Sequence, residues 1–249
     1  MGTTTAFRFF DLPGELRSAI LQHLLVSEWD IVLHNQTILR LPPPGRGAAT
    51  AQSVFRVSAQ MYAEAAAVFY AQNRFVINAQ SHRLPAHLTG RGGFLSPQGR
   101  DARRRVRDLT VLLTRVGGEF EDVLAPALSD MVLCGGLRRL RLRLGPPAGV
   151  RPFRRVADWD LLRRPPFQSL LRLLADPYLD SVELSVWRVH WAALCPFHRQ
   201  GEGLHGESVN DVGLATVRDG PDWVRLDWKN MVEVLGTGQQ IVTVGDKLS

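Results

Sequence analysis

Lysine is nearly missing: only Lys229 and Lys247 occur among 249 residues, so almost all of the 30 basic side chains are arginine and the net charge of +6 rests on them. Such a skew reflects genome base composition as readily as selection for nucleic-acid contacts, and arginine also suits ion pairing with carboxylates. Cysteine is equally sparse. Cys134 and Cys195 lie far apart, no secretory signal precedes them, and a disulfide framework is therefore not expected. Long apolar runs are missing too. The stretch from Ala63 to Tyr70 is broken by Glu64, far short of the roughly 18 uncharged residues that a membrane helix requires. The first six residues nearly fit a myristoylation pattern, but Ala6 stands where Ser or Thr is wanted. These absences predict a cytoplasmic or nuclear chain with reduced thiols and no membrane association. The chain has no Walker lysine, nucleophile elbow or H-E-x-x-H pattern, so neither an enzyme nor a cofactor is expected.

What is present begins at Phe10. Asp11 is a capping candidate, Pro13 falls in the first turn, and Glu15 lies near the positive end of a helix running to Leu25. Leu12, Leu16, Ile20 and Leu24 recur every fourth residue, and Leu21 and Leu25 widen the stripe. Two β-prone runs follow, 29–34 and 37–41, separated by Asn35-Gln36 and closed by Pro42-Pro43-Pro44-Gly45, which reads as a β-hairpin. Helical spacing returns from Ser53 to Gln72, with Val54, Val57, Ser58, Met61, Ala65, Val68 and Phe69 on one side. Asn73 ends that helix, and a strand starts at Phe75.

The run Leu12-Pro13-Gly14-Glu15-Leu16-Arg17, with Ile20 and Leu24-Leu25, resembles the first helix of F-box domains. The segment from Val57 to Ala65, followed by Val68-Phe69-Tyr70 and Asn73-Arg74-Phe75, is similar to the second motif of a large group of fungal F-box-like proteins. In F-box proteins the Leu-Pro helix start and its apolar face dock onto the Skp-type adaptor of a cullin-RING ubiquitin ligase. The resemblance thus implies Leu12, Pro13, Leu16, Ile20 and Leu24 as partner contacts.

Beyond a Gly-, Pro-, His- and Ser-rich stretch at 81–98, three segments share an apolar-x-x-apolar-x-apolar pattern: Val106 to Val111, Leu137 to Leu142, and Leu179 to Leu184. This is the strand signature of leucine-rich repeats, and helical spacing lies between the segments. Strand and helix in alternation imply a parallel sheet with right-handed crossovers. The spacings, 31 residues from Leu109 to Leu140 and 42 from Leu140 to Val182, are too long and uneven for true repeats. The expected fold class is α/β: a small F-box-like helical unit with a β-hairpin over 1–80, a linker or surface loop over 81–98, and an irregular leucine-rich-repeat-like strand and helix array over 99–249. In F-box proteins such arrays bind the client to be ubiquitinated. Further strands are expected at Trp223 to Leu226 and Gln240 to Val244, with a short helix from Trp228.

Two sets of residues invite chemistry. Alternation along a strand puts Arg139, Arg141 and Arg143 on one exposed face, able to meet an acidic partner or nucleic acid or simply to pair with local carboxylates. His190, Cys195, His198 and His205 fall within a short span, and Cys195-Pro196-Phe197-His198 has a metal-ligand spacing, but a single thiolate weighs against zinc. Gly201 to Gly206 fits G-x-G-x-x-G without the strand and helix that a dinucleotide site needs. The residues favour a non-enzymatic interaction module, a substrate adaptor of a Skp-cullin-F-box ligase. The rival is a free-standing scaffold or nucleic-acid-associated protein that uses its arginine face.

Overall fold

The computed structural model describes residues 8–33, 53–79, 84–113, 116–145, 165–187, 215–218, 223–226 and 228–229. Among them, helix and strand alternate: α1 (Gly14–Leu25), β1 (Ile31–Leu33), α2 (Ala59–Gln72), β2 (Arg74–Ala79), the short α3 (Ala86–Thr89), α4 (Arg100–Arg105) and β3 (Asp108–Leu113). A π-helical turn, Phe120–Leu124, leads into α5 (Ala125–Leu133), and β4 (Arg139–Leu144), α6 (Pro165–Leu174), β5 (Ser181–Trp187), β6 (Ala215–Arg218) and β7 (Trp223–Leu226) complete the order. The fold is α/β.

Strands β1 to β5 are parallel and stand side by side in chain order, and β7 and β6 extend the sheet antiparallel beyond β5. Sequential parallel neighbours joined by right-handed crossovers place every connecting helix on the same face of a sheet. In keeping with that rule, α1 contacts α2, α2 contacts α4, α4 contacts α5, and α5 contacts α6. The sheet residues beneath this layer are apolar and in register. Ile31, Phe75, Leu109, Leu140 and Val182 form one row, and Leu33, Ile77, Val111, Leu142 and Leu184 form the next. Nearly all are fully buried in one core that also takes Leu21 and Leu25 of α1, Phe69 of α2, and Leu170 and Leu171 of α6.

The three strands expected from the leucine-rich pattern are β3, β4 and β5, and the strand expected at Phe75 is β2. The first arm of the expected hairpin has another partner: Ile31–Leu33 pairs parallel with Phe75, Val76 and Ile77. A three-residue strand ahead of an amphipathic helix is the start of a β-α-β unit as readily as a hairpin arm, and the buried Ile31 and Leu33 lie on the helix-covered face. The second arm, 37–41, lies outside the described residues, as does the strand expected at 240–244. The sheet takes described strands from both sides of the stretch 81–98, β2 before it and β3 after it.

Residues 84–98, within the stretch read as a linker or surface loop, pack against the body. Leu88, Leu95 and Ser96 are buried, and the buried Arg103 of α4 donates from Nη1 to the carbonyls of Phe94 at 2.7 Å and Ser96 at 3.1 Å. Gly99 is required there, because a β-carbon would run into the carbonyls of Gly93 and Phe94. Glycine and proline in this stretch mark tight backbone packing rather than freedom.

The helix expected over Ser53 to Gln72 is interrupted: Ser53 and Val54 are helical, a turn follows, and α2 begins at Ala59. Ser58 caps it, its hydroxyl accepting from Met61 N at 3.1 Å, and the turn before the cap leaves Val57 in solvent. Asp11 does not cap α1; it closes a single 3-10 turn, and the N-cap position belongs to Pro13. Within α2 the rings of Phe69 and Tyr70 meet Phe75 at 5.5 Å edge-on and 5.9 Å stacked. Burial pushes the Tyr70 phenol up to about 12, against the ordinary value of about 10. A raised folded-state value favours the neutral ring, so this stabilisation is complete below about pH 10 and disappears as pH rises through about 12. Alkaline unfolding should therefore remove about 2 to 3 kcal/mol over that window in the wild type, and chemical denaturation of Tyr70→Phe should show a smaller loss. Equal losses in both proteins would refute it.

Candidate interaction surfaces

Helix α1 carries two apolar rows with opposite fates. Arg17, Leu21 and Leu25 sit one above another and face the body. Leu21 and Leu25 are buried, and Arg17 makes a two-pronged bond to Glu64 of α2, with Nε to Oε2 at 2.8 Å and Nη2 to Oε1 at 3.0 Å. Arg17 Nη1 also donates to the Leu12 carbonyl at 2.6 Å, and its guanidinium lies 5.9 Å from the Phe10 ring. The bond from Arg17 holds the Glu64 carboxyl below its ordinary range. The helix entry is thereby tied to α2.

One position back along each turn, Leu16, Ile20 and Leu24 are 53%, 37% and 41% exposed. Of the other two residues implied as partner contacts, Pro13 is exposed and Leu12 half-buried. The same end of the molecule also exposes Phe10, Val26, Trp29, Val57 and Tyr62. Eight of the ten exposed large hydrophobics among the described residues thus come from positions 10 to 62, against only Leu133 and Tyr178 elsewhere. Singly exposed apolar side chains are ordinary; here eight fall within one stretch of the chain.

The second surface is the sheet face opposite the helices. Arg139, Arg141 and Arg143 project from β4 there, as strand alternation requires. Arg139 is exposed, while Arg141 and Arg143 are half-buried. Asp108 of β3, buried to 3% of its side chain, accepts from Arg139 Nε and Arg141 Nη1, each at 2.8 Å and each on its own oxygen. Arg141 Nε lies 3.8 Å from Glu183 of β5, which also meets Arg225 Nη2 of β7 at 3.2 Å. Arg143 stacks over the Trp223 ring at 5.6 Å. The result is a ladder of alternating charge across four strands.

Asp108, Glu183, Arg225 and Trp223 were not singled out by sequence reasoning. A signal for two of them existed: laying Leu140 on Leu109 and Val182 in the repeated pattern sets Asp108 beside Arg139 and Glu183 beside Arg141, which is the observed register. Three arginines of α4, Arg100, Arg103 and Arg104, are likewise engaged. Arg104 donates to Asp130 of α5 at 2.6 and 3.1 Å and Arg100 at 2.9 Å, and these bonds hold Asp130 well below the usual carboxylate range. His190, Cys195, His198 and His205 lie outside the described residues, and among those described no three ligating side chains cluster. No helix among the described residues is long and apolar enough to cross a membrane. Comparison with protein-family models, with curated proteins and with solved structures found no match.

Proposed function

We propose that this chain is a non-enzymatic interaction module of the F-box-like kind, in which α1 docks a Skp-type adaptor through Leu16, Ile20 and Leu24 and the leucine-rich-repeat-like body presents a client. The observation that carries the reading is the exposure of that row on a helix whose neighbouring row is buried. Full burial of such a side chain is worth roughly 1.5 to 3 kcal/mol, so the exposed parts of these three, 53%, 37% and 41%, are an unfilled source of a fraction of that binding energy. The order β1 to β5 with a single helix layer supports the repeat-like reading of the body. The ladder on the opposite face speaks against nucleic acid as the main partner, because its two carboxylates sit among the arginines that a phosphate chain would need.

The test is retention of a purified Skp-type adaptor by the immobilised chain, wild type against Leu16→Asp with Ile20→Asp. Both side chains are exposed, so the double variant should keep the wild-type circular dichroism spectrum and melt within a few degrees of it. It should nonetheless retain no adaptor, whereas the wild type does. Retention by the folded variant, or none by the wild type, would overturn the proposal.

A further inference from the structure

The residues assigned to adaptor docking are held in place by two different means. Leu16, Ile20 and Leu24 stand within α1, whose own backbone bonds fix their spacing. Leu12 and Pro13 precede the helix in extended backbone, with φ and ψ of −72° and 146° at Leu12 and −52° and 148° at Pro13, so no helical ladder sets their place. Arg17 fixes them against α1. Its backbone amide donates to the Pro13 carbonyl at 3.1 Å, and its side-chain Nη1 donates to the Leu12 carbonyl at 2.6 Å. The same guanidinium lies 5.9 Å from the Phe10 ring and holds both oxygens of Glu64 through Nε and Nη2. One planar side chain thus joins the entry segment, the first turn of α1, and α2. Both ends of the ion pair stay open to water, at 19% and 26% exposure, and pairs of that kind add little to stability. The consequence of this one is positional.

We propose that Arg17 is the positioning residue of the adaptor-docking surface: it holds Leu12 and Pro13 at a fixed place ahead of Leu16, Ile20 and Leu24, so that the adaptor meets one pre-formed surface. The inference rests on the docking reading of α1. An entry segment free to move would have to be ordered as the partner binds, and that ordering lowers affinity. Lysine cannot replace arginine in this role. It keeps the charge but lacks the planar fork that bonds two carboxylate oxygens and a carbonyl at once.

The test is a calorimetric titration of the full chain with a purified Skp-type adaptor. Arg17→Lys should weaken binding roughly tenfold while keeping the wild-type circular dichroism spectrum and melting within a few degrees of the wild type. Glu64→Ala, which leaves α1 untouched, should produce part of that loss. In the free chain, amide relaxation measured by NMR should show the Leu12 order parameter falling from near the rigid value of about 0.85 to below about 0.6 in Arg17→Lys, with the amides of α2 unchanged. The losses from Arg17→Lys and Leu12→Ala should overlap in the double variant, because Arg17 acts through Leu12. Those from Arg17→Lys and Leu24→Ala should multiply, because the helix itself places Leu24. Unchanged affinity or unchanged Leu12 order in Arg17→Lys, full multiplication with Leu12→Ala, or a fall of more than about 10 °C in the melting temperature of Arg17→Lys would each overturn the inference and leave adaptor docking standing. No binding by the wild type would overturn the docking reading and this inference together.

Discussion

Replacing Asn73 with alanine should lower the unfolding free energy by about 3 kcal/mol, or roughly 6 to 12 °C in melting temperature for a chain of this size. Asn73 is 1% exposed and serves three backbone groups at once. Its amide donates to the Leu25 carbonyl at 2.9 Å and the Phe69 carbonyl at 2.8 Å, while its side-chain oxygen accepts from Ser27 N at 2.7 Å. One residue thereby closes the C-terminal ends of α1 and α2 and aims the chain from α1 into β1. Alanine would leave the Leu25 carbonyl and the Ser27 amide without this partner in a dry setting, and each such loss costs about 1 to 3 kcal/mol. Asn73→Asp should be worse at neutral pH. It keeps an acceptor for Ser27 N but turns a carboxylate toward two carbonyl oxygens, which raises its own folded-state pKa. Protonation restores a donor, so the deficit of Asn73→Asp relative to wild type should shrink as pH falls toward the ordinary carboxylate range of about 4. Chemical denaturation at two pH values checks both expectations. A pH-independent deficit, or a loss below about 1 kcal/mol for alanine, would show that water replaces the side chain.

Asn73 also shows where reading the chain stops. Its role as a helix stop was legible, because a short polar residue between a helical stripe and a β-prone run is a local signal. Two of its three partners lie 46 and 48 residues away, and nothing near position 73 reveals them. The parallel sheet was legible for a related reason: β3, β4 and β5 repeat one apolar pattern, and repetition carries register as well as strand identity. β1 carries no such copy, and with three residues it offers too little pattern to reveal its parallel pairing with β2. The packing of 84–98 was not legible because glycine marks both loose loops and backbones too close for a β-carbon, as at Gly90 and Gly93. On α1, periodicity gave the stripe but not its division. Rows 16-20-24 and 17-21-25 differ by one residue, and which of them meets the core depends on where α2 lies, as fixed in part by the Arg17 to Glu64 bond.

That division makes adjacent leucines the sharpest test of the proposed docking row. Leu25→Ala should destabilise the protein by about 3 kcal/mol, the loss typical of a buried leucine whose site cannot collapse, because Leu25 is 1% exposed within the main core. Leu24→Ala, at 41% exposure on the same turn of the same helix, should change stability by no more than about 0.5 kcal/mol. Alanine is the better helix former of the two, so helix propensity does not obscure the contrast. Adaptor retention should behave in the opposite way. Leu24→Ala should release adaptor from a fully folded chain, and Leu25→Ala should retain it at temperatures where that variant is still folded. Were Leu24→Ala to destabilise as much as Leu25→Ala, the row would be covered in solution by the chain itself. The apolar surface would then be core, and the interaction reading of α1 would fall with it.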